Sequence, residues 1–83
     1  MKYKRLAAAG NFTIAGPGKL GTVNVNKGTA SSVVTLYDGT STAGTVIAVI
    51  DAASKSLHDY GVDFSSLHVV MSGADADVTV SYA

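Results

Sequence analysis

Short runs of β-branched and apolar residues, each closed by a turn signal, recur along this chain at a spacing of about 8–12 residues. The signals are Gly10-Asn11, Gly16-Pro17-Gly18, the polar stretch 27–31, Asp38-Gly39 with the small polar residues up to Gly44, and Gly73 with Asp75 and Asp77. Between them lie strand candidates at residues 3–8, 12–15, 20–26, 32–37, 45–50, 62–64, 67–72 and 78–82. Several alternate with period two, as a half-buried strand does. Val23 and Val25 oppose Thr22, Asn24 and Asn26, and Val78, Val80 and Tyr82 oppose Thr79 and Ser81.

That punctuation leaves no room for long helices. The residue types agree. The chain contains no Glu and no Gln, and its six acidic residues are all Asp, which favours turns and caps over helix interiors. Only residues 51–58, opened by Asp51 as a cap for Ala52 and Ala53, could hold a helical turn. Locally connected strands pair antiparallel, because parallel pairs need crossovers of a dozen or more residues. The strongest hairpin signals join 32–37 to 45–50, and 67–72 to 78–82. The expectation is one all-β domain over residues 1–83: a small antiparallel β-sandwich of roughly seven or eight strands, jelly-roll or immunoglobulin-like, with a small closed barrel as the alternative.

The run Val46-Ile47-Ala48-Val49-Ile50 does not alternate. A continuous apolar strand is one covered on both faces, and in so small a domain the second cover is expected from another chain. Stability points the same way. A chain of 83 residues buries only about 60% of its unfolded surface. It has no cysteine and two histidines, so disulfides and thiolate or histidine-rich metal sites are excluded as staples, and oligomerisation remains. Charged residues are 14% of the chain and the net charge is zero, against roughly 25% charged in an ordinary globular domain. Such a surface suits a protein whose faces are largely covered.

The few charges are unevenly placed. Lys2, Lys4 and Arg5 open the chain, and Asp59, Asp63, Asp75 and Asp77 lie in its last third. Two readings follow: solvated strand ends, or a basic first strand lying beside an acidic element of the same or a neighbouring subunit. Three cations are too few for a nucleic-acid footprint. The basic start does not read as a signal peptide, because Leu6 to Ala9 is shorter than the 7–15 residues of an apolar signal core. No stretch approaches the roughly 18 apolar residues of a membrane helix. Synthesis in the cytoplasm, without secretion or membrane insertion, is the expectation.

Catalytic chemistry is hard to assemble. His58 and Asp59 are adjacent, so on a strand they point to opposite faces. His68, on the polar side of its strand, follows Ser65-Ser66, but no spacing builds a Ser-His-Asp set from these residues. Both histidines read as surface groups. Asp75 and Asp77 could begin a calcium site, but the other oxygen ligands are missing, and a hydrogen-bonded turn explains them. Gly16-Pro17-Gly18 lacks the Gly-Lys-Ser/Thr ending of a phosphate loop. Tyr37 beside Asp38 would make only a small sugar-binding platform. No catalytic, metal or cofactor site is expected.

Four segments together resemble the short β-sandwich virion structural proteins of tailed bacteriophages. They are Tyr3-Lys4-Arg5-Leu6, Val34-Thr35-Leu36-Tyr37-Asp38-Gly39-Thr40, Gly44-Thr45-Val46-Ile47-Ala48, and the ending LHVVMSGADADVTVSY at residues 67–82. Each motif alone is generic strand and turn chemistry; their order spans nearly the whole chain. Ser66-Leu67 departs from the Gly-Leu step of such proteins. The resemblance implies a non-enzymatic role in the virion, as a head decoration or cement protein or a head-fibre component. A tail, neck or fibre-tip location is the alternative, and a carbohydrate-binding module a more distant one. It also implies major capsid protein or other virion proteins as partners, and a homo-oligomer, with a trimer favoured. The expected contact residues are Lys2, Lys4 and Arg5 on the first strand and Val46, Ile47 and Val49 on the apolar one.

Overall fold

The computed structural model describes residues 2–7, 9–28, 32–53, 55–73 and 76–83. It contains six strands: β1 (Lys2–Leu6), β2 (Gly10–Lys27), β3 (Val33–Asp38), β4 (Thr45–Asp51), β5 (Ser56–Ser72) and β6 (Asp77–Tyr82). All belong to one sheet in the order β1-β6-β2-β5-β3-β4, and every pairing is antiparallel. The all-β antiparallel class holds. Six strands in one hydrogen-bonded sheet stand where roughly seven or eight in a two-sheet sandwich were expected.

The difference lies in β2 and β5. Gly16-Pro17-Gly18, read as the end of a strand, instead lies within β2, whose Gly16–Pro17 peptide is cis. Segments 12–15 and 20–26 are therefore one element, as are 62–64 and 67–72. Fully extended, the 18 residues of β2 would span about 59 Å at roughly 3.3 Å each. The longest dimension of the molecule is 32 Å, so β2 must bend sharply. The register breaks between Ala15 and Gly18, opposite Phe64 to Ser66 of β5.

Each long strand thus has two arms. Gly10 to Ala15 pairs with Ser66 to Met71, while Leu20 to Val25 pairs with Ser56 to Val62. The first pair of arms extends through β3 to β4, the second through β6 to β1. Folding at the bend turns one face of the sheet inward on itself. The buried cluster draws on both halves: Leu20, Val23, Val25, Val78 and Val80 from one, and Val34, Leu36, Ile50, Leu67, Val69 and Met71 from the other. The radius of gyration, 11.4 Å, matches the roughly 12 Å of a compact chain this long.

The glycines at the bend are there for space. A Cβ on Gly16 would overlap the Ser65 carbonyl, approaching its carbon to 2.7 Å, and one on Gly18 would lie 2.7 Å from the Ala83 carbonyl oxygen and 2.8 Å from Phe64 Cζ. Asp38 fastens the same bend from the end of β3: its Oδ1 accepts from the Ser65 and Ser66 amides at 2.8 and 3.4 Å. A second irregularity lies between Leu20 and Thr22 of β2 and between Val62 and Asp59 of β5. There Gly61 takes φ +64°, which side chains disfavour.

The hairpin of residues 32–37 with 45–50 forms, as β3 with β4. The hairpin of 67–72 with 78–82 does not. β5 instead lies between β2 and β3, and β6 between β1 and β2. Cross-strand pairs Val23–Val80 and Val25–Val78 seat β6 on β2. Period-two alternation satisfies either partner, so local sequence does not distinguish them. The helical turn proposed for residues 51–58 is also absent among the described residues: β4 runs through Asp51, whose Oδ1 accepts from the Ala53 amide at 3.1 Å, and β5 starts at Ser56.

Candidate functional site

The folded sheet leaves β1 at one end of the strand order and β4 at the other. Both are edge strands, with unpaired backbone donors and acceptors along one side, and such edges are templates for another strand. The six residues expected to make contacts therefore fall into two separate groups: Lys2, Lys4 and Arg5 on β1, and Val46, Ile47 and Val49 on β4.

The β1 edge is charged. Lys2 and Lys4 are exposed. Arg5 reaches across to β6, where its Nε donates to the Asp77 carboxylate at 2.9 and 3.1 Å and its Nη2 also pairs with Oδ2. This realises the second sequence reading within one chain: a basic first strand beside an acidic element. Asn26 extends the group, donating to Asp77 at 3.3 Å and to Thr79 Oγ1 at 2.8 Å, while Asn24 donates to Asn26 at 2.6 Å. Hydrogen bonds from Arg5, foremost, hold the Asp77 carboxyl below its ordinary value against the opposing effect of its partial burial. The hydrogen bond to Asp77, followed by its charge, raises Arg5.

The sign of the pH dependence follows from the Asp77 shift. A carboxyl whose folded value is lowered contributes fully above the ordinary unfolded value, and that contribution fades as pH falls through the lowered folded one. Urea unfolding of the protein should therefore show a loss of stability from about pH 5 to about pH 2 that is smaller in Asp77→Asn. Equal losses in the two proteins would contradict the pairing.

The β4 edge is apolar. Val46 is 52% exposed and Val49 64% exposed. Ile47 and Ala48 are half-buried against the core and Ile50 is fully inside. A bulge creates this arrangement. Leu36 pairs with Ala48 but Tyr37 pairs with Val46, so Ile47 is the extra residue. Val46 and Val49 consequently share the outer face, although three positions apart, with Ala48 and Ile50 on the inner one. The continuous apolar run thus has one face covered by its own domain and the other open.

The candidate chemical groups are dispersed. His58 pairs with Val23 on the inner face and Asp59 with Thr22 on the outer, so the two point apart as the strand geometry requires. His58 Nε2 lies 2.9 Å from Ser56 Oγ. His68 corrects the sequence reading: it is buried, not on the surface. It occupies the polar side of β5, but between Thr13 of β2 and Tyr37 of β3. Thr13 Oγ1 lies 2.8 Å from its Nδ1, and the Tyr37 ring is centred 6.1 Å away. Tyr37, the suggested sugar platform, is half-buried in that row. Of the possible calcium pair, Asp75 lies outside the described residues, and Asp77 is engaged by Arg5. Among the described residues no pocket forms and no cluster of His, Asp or Glu could hold a metal ion.

Compared with known proteins, the chain matches no family model, no curated protein and no solved structure. The two edges and their chemistry are therefore the basis for a functional reading.

Proposed function

We propose that this chain is a non-enzymatic structural protein of a bacteriophage virion, a head decoration or cement protein or a head-fibre component, acting as a homo-oligomer that binds capsid protein through its sheet edges. The observation that carries the assembly half of this reading is the apolar edge of β4, where Val46 and Val49 stand exposed on a strand that is paired along one side only. Long apolar edges are an aggregation hazard that free-standing domains blunt with charge or cover; a protein that works in an array has a use for one. The virion half rests on the ordered resemblance of residues 3–6, 34–40, 44–48 and 67–82 to short phage structural proteins. A capsid repeats its binding site many times, so a weak contact per copy becomes effective when copies are linked.

The β1 edge supplies the complementary chemistry: Lys2 and Lys4 are exposed, and an acidic shell surface is the partner they suit. The test is co-sedimentation of the purified chain with capsids of the phage that encodes it, across a salt series. Lys2→Glu/Lys4→Glu, which spares the Arg5–Asp77 pair, should weaken binding at least about tenfold and flatten its salt dependence. Unchanged binding by that variant would remove β1 from the contact. No binding by the native protein to any capsid, neck or tail assembly would overturn the virion reading.

A further inference from the structure

We propose that the open edge of β4 is completed by the β4 of a second copy, in a two-fold antiparallel pair that places Val46 of each copy opposite Val49 of the other. The inference deepens the assembly reading above and rests on it for its purpose; its geometry comes from the strand itself.

Residues directly opposite in an antiparallel pair point to the same face. In β4 the bulge at Ile47 puts Val46 and Val49 on the outer face and Ala48 and Ile50 on the inner one. Pairing Val46 with Val49 then sets Ile47 opposite Ala48 and Thr45 opposite Ile50, so every pair keeps its face. Shifting the strands by one residue would set Val46 opposite Ala48 or Ile50, outer against inner, which register rules forbid where one face is buried. The bulge thus selects one self-complementary register. The outer face then gains a contiguous patch of four valines, and the inner face extends the core seam.

Charge points to the same partner. β4 carries one charged residue, Asp51, and the chosen register sets it opposite Gly44 rather than its own copy. The other edges are poorer self-partners. β1 carries Lys2, Lys4 and Arg5, so self-pairing brings cations together, and like charges across a pair are destabilising. The first arm of β5 has Asp59 near its middle. The first arm of β2 is uncharged but offers Asn11, Thr13 and Ala15 outward. A head-to-tail contact of β4 with β1 would lay Lys2 or Lys4 along the apolar strand.

The test uses sedimentation of the full chain over a concentration series, beside thermal melts that verify folding. The native protein should form dimers or higher even-numbered species. Val49→Lys, at an exposed site, should fold and dissociate at least about tenfold more readily, since symmetry places the lysine in both halves of the seam. The chain has no cysteine, so engineered thiols report register cleanly. Val46→Cys and Val49→Cys chains should form a disulfide-linked dimer when mixed, and neither should do so efficiently alone. A native monomer throughout, a trimer insensitive to Val49→Lys, or efficient cross-linking of Val46→Cys alone would each overturn the pairing. A monomer that still bound capsids would defeat this inference and leave the virion reading standing. A β4-paired dimer that bound no phage assembly would do the reverse.

Discussion

Gly16→Val is expected to prevent the native sheet from forming. The added Cβ overlaps the Ser65 carbonyl, and the obstruction is backbone, so no side-chain rotation relieves it. Separating β2 from β5 at this point opens the bend on which both arms depend. Overpacking costs of about 1–3 kcal/mol are usual where neighbours can shift; here the loss should reach about 3 kcal/mol or more, against a total of roughly 4–12 kcal/mol for a domain this size. Gly18→Val should behave similarly, since its Cβ meets Ala83 and Phe64 together. Gly61→Ala is the informative contrast. Nothing lies within 4 Å of a Cβ there, and only the φ of +64° opposes it, so about 1–2 kcal/mol should be lost. Urea denaturation separates the cases. A Gly16→Val protein with the native midpoint would mean that β2 is not bent against β5 as described.

Leu67→Ala is the second large effect. Leu67 is fully buried beside the bend, on the inner face of β5, opposite Ile14, in the cluster that joins both halves of the sheet. Truncating a buried leucine costs about 2–5 kcal/mol, depending on how far the cavity collapses. In a domain of this length each kcal/mol moves the melting temperature by about 4–8 °C, so a fall of at least about 8 °C is expected. Leu57→Ala, at a leucine 66% exposed, should change stability by no more than about 0.5 kcal/mol. Equal melting shifts for the two would contradict the assignment of the inner face.

The same residues show what could be read from the chain before its structure. Alternation in 20–26, 67–72 and 78–82 identified the inner positions Val23, Val25, Leu67, Val69, Met71, Val78 and Val80, because period two is a local property. Gly16-Pro17-Gly18 misled for a physical reason. Here the two glycines leave room for Ser65 and Phe64 of β5 to approach, and the strand bends instead of ending. Partner choice for β6 was invisible because valines at alternate positions suit β2 as well as β5. The burial of His68 was likewise hidden, since it comes from Thr13 and Tyr37, distant in sequence, flanking it in space. At the candidate site, the clustering of Lys2, Lys4 and Arg5 and the unbroken run at 46–50 were plain. The bulge that exposes Val46 and Val49 together and withdraws Ile47 was not, because it depends on how β4 registers with β3.

Those two edges connect the fold to its proposed role. The bend lets a chain of 83 residues without cysteine close a core, and the chain closes it by leaving β1 and β4 at opposite ends of one sheet. The most direct test of the proposed virion role is quantitative mass spectrometry of virus particles purified from infected cells that make the chain. The protein is expected in many copies per particle, in fixed proportion to a capsid, neck or tail protein. Its absence from purified particles, despite its synthesis in the infected cell, would contradict that role.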